Sequence, residues 1–101
     1  MIYLLAVPGP IEDVEETRVL EWHGELGHAF AAGDLIVELE TYKALVEVRA
    51  GQPGILRRIL SPAGDWQAIG QPLALLSDNP TEALPENAEG IAALAVEFEL
   101  S

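Results

Sequence analysis

The chain has 101 residues, half of them hydrophobic, a size and composition typical of one domain with a packed core. It contains no cysteine, which excludes disulfides, thiolate catalysis, iron–sulfur ligation and the usual cysteine-based zinc sites. Seventeen acidic residues against five basic ones give a formal net charge of −12, which disfavours nucleic acids and anionic membrane surfaces and favours basic patches on partner proteins. The first apolar run ends at Pro8, too early for a signal peptide or a membrane span, so we expect a cytoplasmic protein.

Strand patterns fill most of the first 78 residues. Apolar or β-branched residues alternate with polar ones, and glycine or proline separates nearly every pair of segments. An acidic loop at residues 11–16 follows the first segment, and no helix is predicted before residue 80. The predicted strands are, in chain order, residues 2–7, 17–23, 34–40, 44–49, 55–60, 66–69 and 73–77.

The sequence also repeats itself at an offset of 37 residues, the separation of Gly27 from Gly64 and of Gly33 from Gly70. At this offset LGHAFAAGDLIVEL lies over AGDWQAIGQPLALL. Two copies are too few for a solenoid. We therefore predict an all-β fold, a flattened barrel or sandwich of two four-stranded antiparallel sheets related by an internal two-fold quasi-symmetry. Chance matching of glycine-rich β segments is the alternative.

The composition changes after Asp78. Residues 79–90 are acidic and contain two prolines, which is typical of a linker or a loose extension. The segment IAALAVEFEL at residues 91–100 fits a short helix or a short strand. We therefore divide the chain into a domain at residues 1–78 and an acidic C-terminal extension at residues 79–101, which folds back onto the domain or onto a partner. The two-fold repeat predicts a lysine-bearing hairpin at one end and both termini near the other.

That hairpin is predicted from the segment ELETYKALVEV, where two alternating stretches are joined by a short turn with Lys43, the only lysine in the chain. Tight hairpins favour Asn-Gly or Asp-Gly at the turn, and the residues here are Thr41, Tyr42 and Lys43. A lysine at such a tip is exposed, which makes it a poor general base but accessible to an enzyme that acylates it. An ordinary solvated lysine in a turn is the alternative interpretation.

The stretch GDLIVELETYKALVEVRAGQPGIL resembles the attachment region of lipoyl domains, the β-rich modules of 2-oxo acid dehydrogenase complexes. These domains carry lipoic acid on a lysine at a hairpin tip, in a motif like Glu-Thr-Asp-Lys-Ala, which Glu40, Thr41, Lys43 and Ala44 match. The resemblance extends over residues 2–78 in one register and implies the barrel-sandwich hybrid fold of that family.

Glycines at matching positions strengthen the resemblance, with Gly33 ten residues before Lys43 and Gly54 eleven residues after it. Two features depart from the family pattern. The aspartate before the lysine is Tyr42, and the opening loop, which in the family lies near the lysine tip and helps partner enzymes to recognise it, reads AVPGPIEDVEE. These departures leave the identity of the partner dehydrogenase open.

The resemblance implies a cofactor carrier without an active site of its own. Lys43 would carry a covalently attached lipoyl group, while Glu40, Thr41, Tyr42 and Ala44 would shape the hairpin and its recognition by the modifying enzyme. The tyrosine is equally explained as a residue that merely caps the turn.

The implied partners are of two kinds. A lipoate ligase or a lipoyl/octanoyl transferase would modify the lysine. The dehydrogenase, acyltransferase and dihydrolipoamide dehydrogenase subunits of a 2-oxo acid dehydrogenase-type complex would exchange acyl groups and reducing equivalents with the tethered cofactor. Because no acyltransferase or subunit-binding domain lies within the 101 residues, we expect a free-standing carrier rather than a fragment of a larger subunit.

Two alternatives stay open. The first is a biotin carrier domain of a biotin-dependent carboxylase, a related class whose lysine lies in a Met-Lys-Met centre; Lys43 has Tyr42 and Ala44 as its neighbours instead. The second is a lipoyl-like interaction module that is never modified and whose C-terminal segment docks on a partner.

Other candidate sites are weaker, and the sequence assigns no metal site. His23 and His28 lie five residues apart, but a metal would need further ligands, so we interpret them as surface or turn histidines. Trp22 and Trp66 are predicted to pack in or beside the core. The acidic residues of the loop lack the spacing of a calcium-binding loop, so we interpret them as a solvent-exposed acidic surface. These residues are Glu12, Asp13, Glu15 and Glu16.

Overall fold

The computed structural model describes all 101 residues, which form ten strands and no helix. No helix long and apolar enough to cross a membrane is therefore present. The strands are β1 Ile2–Ala6, β2 Glu16–Trp22, β3 Ala29–Phe30, β4 Leu35–Glu40, β5 Leu45–Ala50, β6 Gly54–Ile59, β7 Trp66–Ala68, β8 Pro72–Ser77, β9 Ala92–Ala93 and β10 Val96–Leu100. All seven strands predicted from the sequence are confirmed, within one or two residues at their ends.

The strands form two sheets, in the orders β3-β6-β8-β1-β9 and β10-β5-β4-β2-β7. All neighbouring strands are antiparallel except β1 and β9, which are parallel. The predicted all-β architecture of two sheets is confirmed, and the sheets do not close into a barrel. Each sheet has five strands rather than four, because the C-terminal extension adds β9 to one sheet and β10 to the other.

Most of the core consists of strand side chains that point toward the opposite sheet. In the hairpin that carries the site, Val37 and Leu39 of β4 and Val46 and Val48 of β5 are all fully buried. Burying one such side chain stabilises a fold by roughly 1.5–3 kcal/mol. The alternation seen in the sequence therefore fixes the core-facing side of β5 and of β4 from Val37 onward, while Ile36, which is also fully buried, lies at a register shift where the alternation fails.

The two tryptophans occupy different environments. Trp22 packs against the core, and its indole N–H donates a 3.0 Å hydrogen bond to the carbonyl oxygen of Ser61. Trp66 is 55% exposed, so the prediction that it packs in or beside the core is wrong. Its strand, β7, has only three residues, too few for an alternating pattern to distinguish the buried face from the exposed one.

The internal repeat is visible in the hydrogen bonds. The backbone N–H of Gly27 donates to the carbonyl oxygen of Leu56 at 2.7 Å, and the N–H of Gly64 donates to the carbonyl oxygen of Val19, also at 2.7 Å. A shift of 37 residues takes Gly27 to Gly64 and Val19 to Leu56, so the second bond is the first with the two halves exchanged. The repeat is therefore a true two-fold relation between the sheets, not chance matching.

The other pair of matched glycines shows the same relation. Gly33 and Gly70 have φ values of 93° and 89°, a conformation that residues with a Cβ rarely adopt. The N–H of Gly33 donates a hydrogen bond to the carbonyl oxygen of Ala50 at 2.7 Å, and the N–H of Gly70 donates one to the carbonyl oxygen of Val7 at 2.9 Å. Each glycine thus turns the chain into the strand that follows it, β4 in the first half and β8 in the second.

The C-terminal extension runs along both sheets. Leu94, which is 5% exposed, belongs to the core, and its N–H donates a 2.8 Å hydrogen bond to the carbonyl oxygen of Leu4. β10 pairs antiparallel with β5, from Val96 opposite Ala50 to Leu100 opposite Val46. The helical interpretation of residues 91–100 is therefore wrong.

The position of Ser101 contradicts the expectation that both termini lie near the end away from the hairpin. Its backbone exchanges two hydrogen bonds of 2.9 Å with Leu45, the first residue of β5 after the hairpin turn. The α-amine of Met1, in contrast, contacts Asp78. The two termini therefore do not share the end away from the hairpin, because β10 is antiparallel to β5 and so ends where β5 begins.

Candidate functional site

Lys43 lies at the tip of the hairpin formed by β4 and β5. Glu40 is the last residue of β4 and Leu45 the first of β5, so four residues connect the strands. Tyr42 and Lys43 are the two central ones, and both are exposed, Tyr42 by 75%. The sole lysine of the chain thus projects from the end of a paired, core-backed ribbon.

Thr41 closes the turn with its side chain. Its hydroxyl donates to the carbonyl oxygen of Ala44 at 3.0 Å and accepts the N–H groups of Ala44 at 2.9 Å and of Lys43 at 3.2 Å. The N–H of Thr41 also donates to the carbonyl oxygen of Ala44 at 2.8 Å. Thr41 itself is only 5% exposed, so these bonds are sheltered from water.

This arrangement explains why the turn lacks the Asn-Gly or Asp-Gly pair of a tight hairpin. The only non-glycine residue with a positive φ in the chain is Asp13, at 62°, so Tyr42 and Lys43 both have negative φ. The turn therefore does not require residues that tolerate a left-handed conformation. Its polar backbone groups are satisfied by the Thr41 hydroxyl, which leaves the two tip positions free for large side chains.

The amine of Lys43 is held loosely against its surroundings. Its Nζ atom donates a 2.7 Å hydrogen bond to the backbone carbonyl of Glu12 and lies 5.9 Å from the centroid of the Tyr42 ring. Because the side chain is exposed, both contacts compete with water. The amine is accessible to a second protein without rearrangement of the hairpin.

Glu40 lies at the base of the hairpin rather than at its tip. It is directly opposite Arg18 of β2, and the two side chains form an ion pair with an N–O distance of 3.8 Å. Both side chains are more than 40% exposed, so the pair contributes little to stability. Its position makes Glu40 part of the charged surface that surrounds the tip.

The acidic loop that precedes β2 lies beside the tip. Ile11 and Val14 anchor it, because both side chains are buried and their backbones form an isolated bridge. A groove of about 680 Å³ lies where this loop, the hairpin tip and β7 meet. It is lined by the carboxylates and valine of the loop and by two exposed aromatic rings: Asp13, Val14, Glu15, Glu16, Tyr42 and Trp66.

The sequence did not associate Trp66 with this site, because Trp66 is 23 residues from Lys43 and the pairing of β7 with β2 is not encoded locally. The pairing places Trp66 opposite Arg18, which itself lies opposite Glu40.

The two histidines weighed as metal ligands have different neighbours. The ring of His28 packs against Phe30, with centroids 4.5 Å apart. The Nε2 atom of His23 lies 2.6 Å from a carboxylate oxygen of Glu38. His23 is therefore grouped with a glutamate from the neighbouring strand, a combination that the sequence did not predict.

Comparison with known protein families gives a match to most of the sequence. Residues 4–76 match the biotin/lipoyl family model, which is described as biotin-requiring enzyme. The matched region contains all ten strands except β9 and β10, with β1 and β8 each cut short by one or two residues, and it includes the hairpin with Lys43.

Three similar proteins illustrate the match. The chain is 36% identical over 86 residues, 82% of its length, to the dihydrolipoyllysine-residue succinyltransferase component of the 2-oxoglutarate dehydrogenase complex of Staphylococcus saprophyticus. It is 31% identical over 98 residues, 92% of its length, to the mitochondrial pyruvate dehydrogenase complex protein X component of Saccharomyces cerevisiae. It is 33% identical over 73 residues, 71% of its length, to the dihydrolipoyllysine-residue acetyltransferase component of the pyruvate dehydrogenase complex of Zymomonas mobilis. The matches cover 20%, 24% and 17% of those proteins, so the chain spans a quarter of their length or less.

Proposed function

This chain belongs to the biotin/lipoyl attachment family, and we propose that it is a lipoyl carrier domain whose Lys43 is the attachment residue. The observation that carries the proposal is the position of Lys43, the one lysine of the chain, at the exposed tip of a rigid hairpin inside the family match. The names of the similar proteins favour lipoate over biotin, because two of the three are dihydrolipoyllysine-residue transferase components.

The surroundings of Lys43 are compatible with a cofactor that is attached to its amine through an amide bond. Attachment replaces one hydrogen of the Lys43 amine with an acyl carbon, and the product amide keeps a single N–H. The exposed amine has room for this change, and the Glu12 carbonyl that accepts its hydrogen bond can accept the amide N–H in turn. When bound, a lipoyl group supplies a cyclic disulfide that exchanges acyl groups and electrons.

The role of the chain's own residues is presentation. The four hydrogen bonds at Thr41 and Ala44 fix the turn, and the buried valines and leucine of β4 and β5 fix the ribbon behind it. A rigid support limits the volume searched by the tip, which raises the effective concentration of a tethered group at an active site. In this proposal the chain is a carrier and the catalytic groups belong to its partners.

Recognition by the modifying enzyme is proposed to use the surface around the tip. Glu40, Thr41, Tyr42 and Ala44 surround the lysine, and Tyr42 presents a large ring where the family motif has an aspartate. The proposed partners are a lipoate ligase or lipoyl/octanoyl transferase and the subunits of a 2-oxo acid dehydrogenase-type complex. An acidic surface of net charge −12 suits basic partner surfaces, with association that slows as salt rises.

Intact-mass measurement of the chain isolated from cells with an active lipoylation pathway tests the proposal. We expect the mass increment of one lipoyl or octanoyl group, and its loss in Lys43→Arg, which keeps the positive charge. An increment of one biotin would assign the chain to the biotin carriers, and an unmodified mass in the presence of competent ligase would support an unmodified interaction module.

A matched control tests whether the modifying enzyme requires a lysine at the hairpin tip or accepts any exposed lysine of the chain. Arg18 lies on the exposed face of the same sheet. In a chain carrying both Lys43→Arg and Arg18→Lys, the new lysine stays unmodified if the enzyme reads the hairpin tip. Modification of that lysine would contradict a site defined by the tip.

A further inference from the structure

A row of glutamates crosses the solvent-facing side of the sheet that carries the hairpin. Glu21 of β2 is directly opposite Glu38 of β4, Glu38 is opposite Glu47 of β5, and Glu47 is opposite Glu99 of β10. We call these four residues the glutamate row. Carboxylates placed directly opposite one another repel, so the row destabilises the sheet unless positive charge offsets it.

One end of the glutamate row converges on a histidine. The Nε2 atom of His23 lies 2.6 Å from a carboxylate oxygen of Glu38 and 3.8 Å from a carboxylate oxygen of Glu21. One potential ligand atom from each of the three residues lies within 4.8 Å of both others. The side chains of His23 and Glu38 are only 30% and 25% exposed, whereas that of Glu21 is 67% exposed.

The strands impose this convergence. Glu21 and His23 are two residues apart, so they point to the same side of the chain as it leaves β2, and the N–H of His23 still donates to the carbonyl oxygen of Ile36 in β4 at 2.8 Å. A bulge between Val19 and Glu21 sets the register that brings Glu21 opposite Glu38. Two of the three ligand residues thus lie on paired strands, and the third, His23, directly follows β2 and is held by its backbone hydrogen bond to β4.

We propose that Glu21, His23 and Glu38 form a binding site for a divalent cation of the zinc class. An imidazole nitrogen with two carboxylate oxygens is a donor set for such a cation, and water completes a four-coordinate site. The imidazole selects against magnesium and calcium, which prefer oxygen ligands alone. Binding uses the Nε2 lone pair, so any proton on that nitrogen leaves to solvent and the cation takes its place between His23 and Glu38.

The negative charge around the site is offset better by a bound dication than by the His23 side chain alone. Glu38 has a carboxylate on either side of it in the glutamate row, and the two arginines of this sheet pair with other carboxylates, Arg49 with Glu47 at 3.5 Å and Arg18 with Glu40 at 3.8 Å. A dication therefore relieves repulsion that the protein's own side chains leave in place. It also joins β2 to β4, the strand that leads into the Lys43 hairpin. The site does not depend on attachment at Lys43.

Titration of the metal-free chain with Zn²⁺ tests the site. Calorimetry is carried out with Mg²⁺ in large excess, which occupies the general acidic surface, and the imidazole resonances of both histidines are followed by NMR. We expect one saturable equivalent of Zn²⁺ and a perturbation of the His23 ring. Loss of a neighbour that merely orients a ligand weakens metal binding by about 10–100-fold, so His23→Gln, which removes the ligand, is expected to weaken it by at least about 100-fold.

Two matched variants separate this site from general electrostatics. His28→Gln removes the other histidine, and Glu99→Gln removes one charge from the far end of the glutamate row, where no ligand is proposed. Both should leave the affinity within a few-fold of the wild-type value, and Glu38→Gln should weaken it as His23→Gln does. Circular dichroism establishes that each variant is folded.

The proposal is overturned by an absence of saturable Zn²⁺ binding, or by binding that His23→Gln leaves unchanged. Equal losses in Glu38→Gln and Glu99→Gln would also overturn it, because they would show that the ion responds only to net charge. A second readout is thermal unfolding, in which excess Zn²⁺ should raise the midpoint for the wild type and His28→Gln but not for His23→Gln.

Discussion

The Nζ atom of Lys43 donates a 2.7 Å hydrogen bond to the backbone carbonyl of Glu12. These residues are 31 positions apart, and the bond joins the hairpin tip to the acidic loop. The tip and the loop therefore form one continuous surface. A protein that binds the lysine also meets the loop carboxylates and the rings of Tyr42 and Trp66.

The Thr41 hydroxyl is predicted to determine the stability of the tip. Thr41→Ala removes an acceptor of two N–H groups and a donor to the Ala44 carbonyl in a sheltered turn. We expect the free energy of unfolding, measured in urea, to fall by about 1–2 kcal/mol, since polar groups in the turn lose their partners. Hydrogen exchange at Ala44 should speed up correspondingly.

Thr41→Ser is the control for that change, because it keeps the hydroxyl and removes only a methyl group. It should retain the slow exchange at Ala44. If Thr41→Ser accelerates exchange as much as Thr41→Ala does, packing of the methyl group rather than the hydroxyl holds the turn.

The two-fold relation predicts matched responses at Gly33 and Gly70. Each has φ near 90°, and a Cβ added at either would meet no atom within 4 Å. Replacement by alanine therefore introduces backbone strain without a clash, and we expect each variant to lose about 1–2 kcal/mol of unfolding free energy. Asparagine, which tolerates positive φ better, should cost less at both positions. A large loss of unfolding free energy at one position and none at the other would show that the two glycines do not have equivalent roles in the two halves.

Leu94 is predicted to anchor the C-terminal extension. Its side chain is 5% exposed, whereas that of Leu100 is 49% exposed at the end of β10. Leu94→Ala should lower the unfolding free energy by roughly 2–4 kcal/mol and increase hydrogen exchange in β9 and β10, whereas Leu100→Ala should change stability by less than about 1 kcal/mol. Exchange that is unaffected in Leu94→Ala would mean that strand pairing alone holds the extension.

The α-amine of Met1 makes stability depend on pH. The amine donates hydrogen bonds to Asp78 at 2.6 Å and to Glu82 at 2.7 Å, which raise its pKa above the usual value of 8.0, and the same contact with Asp78 lowers the pKa of that carboxyl group below 3.8. A raised amine pKa means that the folded state holds its proton more tightly. The stabilisation is therefore complete below pH 8 and is lost as the pH rises through the raised value.

On the acid side, the stabilisation is present above the ordinary pKa of Asp78, 3.8, and is lost as the pH falls through its lowered value. Urea unfolding between pH 7 and pH 10 should show a decline for the wild type that is smaller in Asp78→Asn. Both groups are exposed, so the difference is modest. Identical pH dependence in the two proteins would contradict the ion pair.

Local features of the sequence were sufficient for seven of the ten strands and for the position of Lys43, but the two-residue strand β3 was not predicted. Alternation in β4 and β5 follows from one face meeting the core, and the matched glycines indicated the two-fold relation. The number of strands per sheet was not predictable in the same way, because residues 91–100 fit both the helical and the strand period and their partner is distant in sequence. The proximity of Glu21, His23 and Glu38 depends on strand register and on a bulge, neither of which is visible in a single segment.

The outermost strands have a consequence for how these molecules behave when crowded together. Three of the four are β3, β7 and β9, which are only two or three residues long and leave little unpaired backbone to recruit another chain. The fourth, β10, has five residues and carries Glu97 and Glu99. Two such strands approaching each other bring like charges together, so the fold resists intermolecular strand addition and aggregation beside the hairpin that its partners must reach.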